Sequence, residues 1–247
     1  MSIKIKACTI WVMLIVAILT IHNRPVAAGE LDIKFDPALL QPDFKAFSKE
    51  LGLAISYLPM APAEPLGVLG FDIGAEVTAI NIDNNLWDKV IIDNDVPGTV
   101  VLPRIHLQKG LPFGFDIGAS YTRVPSSNIK VIGGEVKWAI VSGNAALPAL
   151  AIRGSYTTLS GVDDLDLETI GADISVSKGI AFVTPYAGYG QVWITSEANQ
   201  TFGLQKEEIT TAKPFVGAKI SLALINFVFE ADFGDLPMYT ARFNVGF

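Results

Sequence analysis

The residues that could do chemistry in this sequence are few, and the histidines limit them most. The sequence has two histidines: His22 follows an apolar N-terminal stretch, and His106 lies in the remainder of the chain. A histidine beside a serine and an acid is the arrangement that acyl-transfer enzymes use. The only cysteine, Cys8, is also N-terminal, which removes thiol nucleophiles, disulfides and thiolate metal sites from the remainder. An enzyme would therefore have to work through His106.

Metal and cofactor chemistry finds little support in the sequence. It contains no phosphate-binding glycine loop and no nucleophile elbow, and we expect no cofactor. The Asp- and Asn-rich segment 81–98 has the residue types that bind Ca²⁺, but its spacing does not match the EF-hand loop. Such residues more often form turns on a solvated surface.

The N-terminus resembles a cleaved export signal. Lys4 and Lys6 precede the apolar run 9–21, and Val26, Ala27 and Ala28 form a small-residue cleavage site. We predict a signal peptide over residues 1–28; an uncleaved anchor is the alternative. Cleavage would leave 15 basic and 25 acidic residues, a formal charge of −10. That charge argues against nucleic acid as a partner, since nucleic-acid binding needs a basic surface.

The elements that must position any site follow from composition and periodicity. Half of the residues are apolar and 17% are charged, yet no apolar run after residue 21 is long enough for a membrane helix. Instead, apolar residues alternate with glycine, charged or hydroxyl residues, for example over 69–79 and 113–122. This period of two indicates strands with one apolar and one polar face.

Ten segments show the strand pattern, each about as long as the 9–11 residues of a tilted membrane strand. They are 67–80, 99–109, 112–124, 128–142, 146–159, 165–178, 181–195, 212–224, 226–234 and 237–247. Eight or twelve strands are the alternatives, with 53–58 and 86–92 as the candidate extra strands. Longer connections at 80–99, 160–165 and 195–212 alternate with tight turns. We therefore predict an all-β, antiparallel, up-and-down transmembrane β-barrel over residues 67–247.

Residues 29–66 have a different pattern. Asp36-Pro37 and Pro42-Asp43 are each a possible helix start. Phe44, Phe47 and Leu51 then repeat at helical spacing, and Gly52 is the predicted stop. A proline-rich connector over 59–65 follows. We predict a short helix outside the barrel wall that plugs the periplasmic mouth, lies on the inner headgroups or binds another envelope protein.

The C-terminal segment carries a resemblance to a known class. Residues 238–247 alternate and end on Phe247, with Tyr239, Phe243 and Val245 on the same face. This resembles the terminal strand of Gram-negative outer-membrane β-barrel proteins. The resemblance implies a bacterial outer-membrane location, outer-membrane lipid and the assembly machinery as partners, and a periplasmic position for Phe247. It implies no specific activity.

The strand parity places a set of charged residues on the inner face of the barrel. Opposite charges on neighbouring strands should pair there, because an isolated ion in a narrow lumen is costly. The predicted lumen network comprises Asp72, Glu76, Arg104, His106, Asp116, Glu135, Lys137, Arg153, Asp173, Lys219, Glu230, Asp232 and Arg242.

Three functional hypotheses follow from this arrangement. The first is a structural or narrow transport barrel with a charged, largely packed lumen, in which some charges select a small solute. The second is a surface binding module that acts through the outer loops 81–98 and 196–211. The third is a lipid-modifying enzyme using His106, but the strand directions place His106 near the periplasmic end, away from the outer leaflet. We expect no enzymatic activity.

Overall fold

Ten antiparallel strands form the wall of the protein. The computed structural model describes residues 33–92, 98–124 and 127–247; the predicted signal segment 1–28 and part of the loop 81–98 lie outside these residues. The strands are β1 Phe71–Asn81, β2 Thr99–Gly110, β3 Phe115–Arg123, β4 Lys130–Val141, β5 Ala149–Ser160, β6 Leu165–Ser177, β7 Val183–Ala198, β8 Glu207–Leu222, β9 Ile225–Asp232 and β10 Met238–Gly246.

Each strand pairs with the next along the chain, and β10 returns to pair with β1, so the sheet is a closed barrel. Phe71 and Phe247 exchange main-chain hydrogen bonds where the first and last strands meet. We call this the Phe247 end of the barrel and the opposite end, which carries the connection 82–98, the loop end. The predicted up-and-down barrel of ten strands is confirmed.

The polarity of the wall is the reverse of that of a water-soluble barrel. In β10, Arg242 and Asn244 point inward and are buried, while Tyr239, Phe243 and Val245 point outward. Isoleucines such as Ile105 remain about half exposed on the outer face of other strands. An apolar exterior around a charged interior matches the alternation of transmembrane barrels. The predicted resemblance to outer-membrane barrels is thus confirmed at the level of the fold.

Two α-helices accompany the barrel in the described part of the chain: α1 Gln41–Ile55 and α2 Asn84–Val90. Helix α1 starts at the second of the two predicted sites, with Pro42 in its first turn, and its first-turn acid Asp43 suits the helix dipole. In α2, the Asp83 side chain accepts hydrogen bonds from the main-chain N–H groups of Asn85 and Leu86. Among the described residues, no helix is long and apolar enough to cross a bilayer.

Both candidate extra strands were wrong. Residues 53–55 continue α1, and residues 84–90 form α2. Gly52, the predicted helix stop, lies inside α1. A Cβ atom on Gly52 would lie 2.5 Å from the Cγ2 atom of Ile194, so the glycine allows α1 to approach the wall closely.

Helix α1 lies inside the barrel, where it contacts β5, β6, β7 and β8. As in one of the three predictions it occupies the barrel, but its contacts with β7 and α2 lie nearer the loop end than the Phe247 end. Its buried face includes Ser48 and Gly52 as well as Phe44, Phe47 and Leu51, so it is wider than the apolar stripe alone. That width suits a helix enclosed by a wall better than one lying on a membrane surface.

Candidate functional site

The lumen is the candidate functional site, and it is divided into two halves of different chemistry. The half nearer the loop end is filled by α1 and a continuous apolar cluster that includes Phe35, Phe44, Phe47, Ile194 and Met238. The half nearer the Phe247 end is lined by charged side chains and crossed by residues 56–66, which we call the connector segment. Residues 33–66 together form what we call the plug.

Aromatic rings seal the apolar half. The ring of Phe35 makes edge-to-face contacts with Phe44, Phe47 and Phe202 at centroid distances of 5.9, 5.7 and 5.6 Å. Phe47 also contacts Trp87 of α2 at 4.8 Å. The two loops proposed as binding loops thus supply Trp87 and Phe202 to the packing around the plug.

Polar contacts fasten the helix to the wall and loops. The Ser48 and Ser196 hydroxyls, on α1 and β7, lie 2.8 Å apart and are fully buried. The Trp87 indole donates to Glu50 at 2.8 Å. Lys49 forms an ion pair at 3.0 Å with Asp235, which lies between β9 and β10. The Lys49 ammonium and a hydrogen bond from the Thr211 hydroxyl lower the pKa of Asp235 below its ordinary value. At the loop end, the plug is therefore bound to several of the connections between strands.

The strand register brings charges of opposite sign together in the other half of the lumen. Glu76 lies opposite Arg242 on β10 and opposite Arg104 on β2. The ion pairs within the barrel are Arg104–Glu76, Lys137–Asp116, Arg153–Glu135, Arg153–Asp173, Lys213–Asp232 and Arg242–Asp72.

Three members of the predicted network differ from the others, and the first is His106, which is joined to Glu76 by a hydrogen bond. Glu230 is held by hydrogen bonds, accepting from the Tyr186 hydroxyl at 2.7 Å and from the Met60 main-chain N–H at 3.0 Å. Lys219 is only half-buried and forms no ion pair with the residues that the structure describes. The remaining predicted residues all take part in the ion pairs above.

The wall charges bind the connector segment mainly through its main chain. Lys213 donates to the Tyr57 carbonyl at 2.8 Å, and Lys137 donates to the carbonyls of Pro62 and Glu64, both at 3.0 Å. Asp116 accepts from the Leu66 N–H at 3.0 Å. The charged lining thus serves two purposes: it neutralises itself, and it satisfies the main chain of the segment that crosses it.

His106 lies at the junction of wall and plug and is fully buried. Its Nε2 atom is 2.7 Å from the Tyr57 hydroxyl, and its Nδ1 atom is 3.3 Å from Glu76. This pattern suits a neutral ring in which Nδ1–H donates to Glu76 and Nε2 accepts from Tyr57. Both ring nitrogens are occupied, so neither is available to a substrate in this state.

Sequence reasoning missed some residues of the site. Lys213 has the same strand parity as Lys219, six residues later, and this signal could have placed it in the lumen. Tyr57 carried no such signal, since nothing local to residues 56–66 shows that they run inside the wall. Among the described residues, no three His, Cys, Asp or Glu side chains come together as metal ligands would.

The comparisons with known proteins are distant. No family model and no curated protein matches the chain. The N-terminal β-barrel domain of OprF from Pseudomonas aeruginosa is 11% identical, over 73% of this chain and 99% of that one, with a TM-score of 0.35. The KdgM porin is 8% identical over 71% and 99% of the two chains (TM-score 0.37), and Neisserial surface protein A is 12% identical over 72% and 97% (TM-score 0.29). These likenesses are too distant to transfer any property to this chain.

Proposed function

We propose that this protein is a narrow transport barrel of the bacterial outer membrane, closed at rest by its own plug. The apolar exterior requires a bilayer, and the terminal strand supports insertion with the Phe247 end in the periplasm and the loop end at the cell surface. In this orientation the plug enters the lumen from the outside and leaves it at the periplasmic end.

The observation that carries the proposal is the charged lining around the connector segment. A barrel with only a structural role would gain stability from an apolar interior, because replacing buried ion pairs by packed apolar side chains is often neutral or stabilising. Charged side chains in this half of the lumen are instead expected if the lining is exposed to water when the plug moves. The main-chain contacts of Lys137 and Lys213 can be exchanged for water at a modest net cost per hydrogen bond.

The test is ion conduction by the full chain in planar bilayers. We expect the wild-type protein to be silent, and Gly52→Leu to show stable single-channel currents, because the larger side chain would clash with Ile194 and unseat α1. The matched control is Gly154→Leu. Gly154 lies on the outward face of β5 with nothing within 4 Å of its Cβ position, so this variant should stay closed.

Heat-dependent mobility on gels would first show that each variant is folded. Gly52→Ala provides a smaller clash if Gly52→Leu does not fold. Silence of a folded Gly52 variant at all voltages would contradict the transport proposal and favour a structural barrel.

A further inference from the structure

The connector segment is bound in the lumen as a ligand would be. Six contacts reach its main chain: Lys213 to the Tyr57 carbonyl, Glu230 to the Met60 N–H, Arg242 to the Met60 carbonyl, Lys137 to the carbonyls of Pro62 and Glu64, and Asp116 to the Leu66 N–H. The donor–acceptor distances lie between 2.8 and 3.3 Å. The contacts therefore follow the segment along almost its whole length.

The five wall residues that make these contacts form a built site. Each is more than nine-tenths buried, and they come from five strands, β3, β4, β8, β9 and β10. Three are cations that donate to carbonyl oxygens, and two are carboxylates that accept from N–H groups. Both the donor and the acceptor of Met60 are bound, by Arg242 and Glu230 respectively.

This combination of groups matches a peptide main chain. A peptide main chain supplies both kinds of group at regular spacing: N–H donors for Glu230 and Asp116, and carbonyl acceptors for the three cations. A polyanion without N–H or O–H donors would leave both carboxylates without a partner. The side chains of the segment are mostly small or cyclic, with Ala61, Ala63 and three prolines. The prolines favour an extended main chain on either side of Met60, whose φ of 45° turns the segment in the middle of the track.

We propose that the charged half of the lumen is a binding track for a peptide rich in proline and alanine, and that the connector segment is its resident occupant. The inference rests on the proposed function, since an incoming peptide needs the plug to move. Two side-chain contacts add sequence preference near the ends of the track: the Tyr57 hydroxyl with His106, and the Glu64 carboxylate with the Gly179 N–H at 3.1 Å.

The experiment uses the conducting Gly52→Leu protein in planar bilayers and a synthetic peptide with the sequence of residues 56–66. We expect the peptide to block the current in a concentration-dependent manner. A second peptide carries N-methyl groups at Met60 and Leu66, which removes both donors to the wall carboxylates. It should block at least about tenfold more weakly, since hydrogen bonds to charged groups are lost.

The matched control peptide is N-methylated at Ala63, whose N–H donates to no group in the part of the chain that the structure describes. It should block like the unmodified peptide. Equal block by all three peptides, or no block in a conducting channel, would overturn the peptide track while leaving the transport proposal intact.

A second measurement does not depend on conduction. A protease site placed between Val68 and Leu69, which are 56% and 79% exposed, would allow the full chain to be cut after folding. A labelled peptide of residues 33–66 should then exchange into the lumen, and the form N-methylated at Met60 and Leu66 should not. Failure of the unmodified peptide to enter would overturn the inference.

Discussion

Lys213 illustrates how single residues couple the wall to the plug. Its ammonium donates to the Ser56 hydroxyl at 2.9 Å and to the Tyr57 carbonyl at 2.8 Å, and it pairs with Asp232 at 3.6 Å. One buried cation thus satisfies both a carboxylate of β9 and the plug. Loss of this cation would leave Asp232 buried without its ion pair, which is more costly than loss of the whole pair.

We therefore expect Lys213→Met to lower the free energy of unfolding by about 3–5 kcal/mol. Addition of Asp232→Asn should restore about half of that loss, because the uncompensated charge is removed. Urea titrations in lipid vesicles, followed by tryptophan fluorescence, would measure both values.

The control is Lys219→Met, on the same face of the same strand. Lys219 is half-buried and without an ion pair among the described residues, so its loss should cost less than about 1 kcal/mol. If the Lys213→Met/Asp232→Asn protein were as unstable as Lys213→Met alone, the ion pair would not explain the effect.

At the scale of elements, α1 and α2 act together as the cap of the lumen. Phe47 of α1 is fully buried and contacts both Phe35 and Trp87. Trp87 in turn donates to Glu50 of α1. Because α2 has only seven residues, its stability depends on this packing rather than on its own helix propensity.

We expect Phe47→Ala to destabilise the cap by about 3–5 kcal/mol, the usual cost of removing a buried phenylalanine ring. Local opening should then expose α2 to proteases added on the loop side, while the barrel itself remains folded. Phe113→Ala is the control, since Phe113 is 90% exposed at the other end of the barrel. Equal protease resistance of Phe47→Ala and wild type would contradict the role assigned to the cap.

The strands could be predicted from the sequence, whereas the position of α1 could not. Strand alternation is a local property, because each residue contributes to one face, and so all ten strands and the inward charges such as Glu76 and Arg242 were predictable. The location of α1 depends on residues far along the chain, including Ile194 and Ser196, which the periodicity of residues 43–51 cannot specify. For the same reason, Gly52 looked like a helix stop, although it marks a close contact.

At the scale of the whole molecule, the barrel is closed twice. Pairing of β1 with β10 closes the wall, and the plug closes the lumen. The second closure involves a contact between residues 148 positions apart, Ser48 on α1 and Ser196 on β7. A covalent bond at this contact would link the plug directly to the barrel wall.

Replacement of Ser48 and Ser196 by cysteine should create that link. The hydroxyl oxygens are 2.8 Å apart, so sulfur atoms at these positions lie within reach of a disulfide. In the folded protein the disulfide should form on mild oxidation and raise the free energy of unfolding by about 2–4 kcal/mol, because it restricts a long loop of the unfolded chain. Gel mobility with and without reductant, followed by urea titration, would measure both effects.

The comparison pair is Glu50→Cys with Ser196→Cys. Glu50 is on the same helix, but its carboxylate accepts hydrogen bonds from the Trp87 indole at 2.8 Å and from the Asp83 main-chain N–H at 3.2 Å, so it faces α2 rather than β7. This pair should not cross-link. Equal cross-linking of the two pairs would indicate that α1 moves freely within the lumen, and no cross-linking of the Ser48 pair would contradict its position against β7. Selective cross-linking of the Ser48 pair would show that α1 is held against β7 in the folded barrel. This is the arrangement in which the plug closes the lumen.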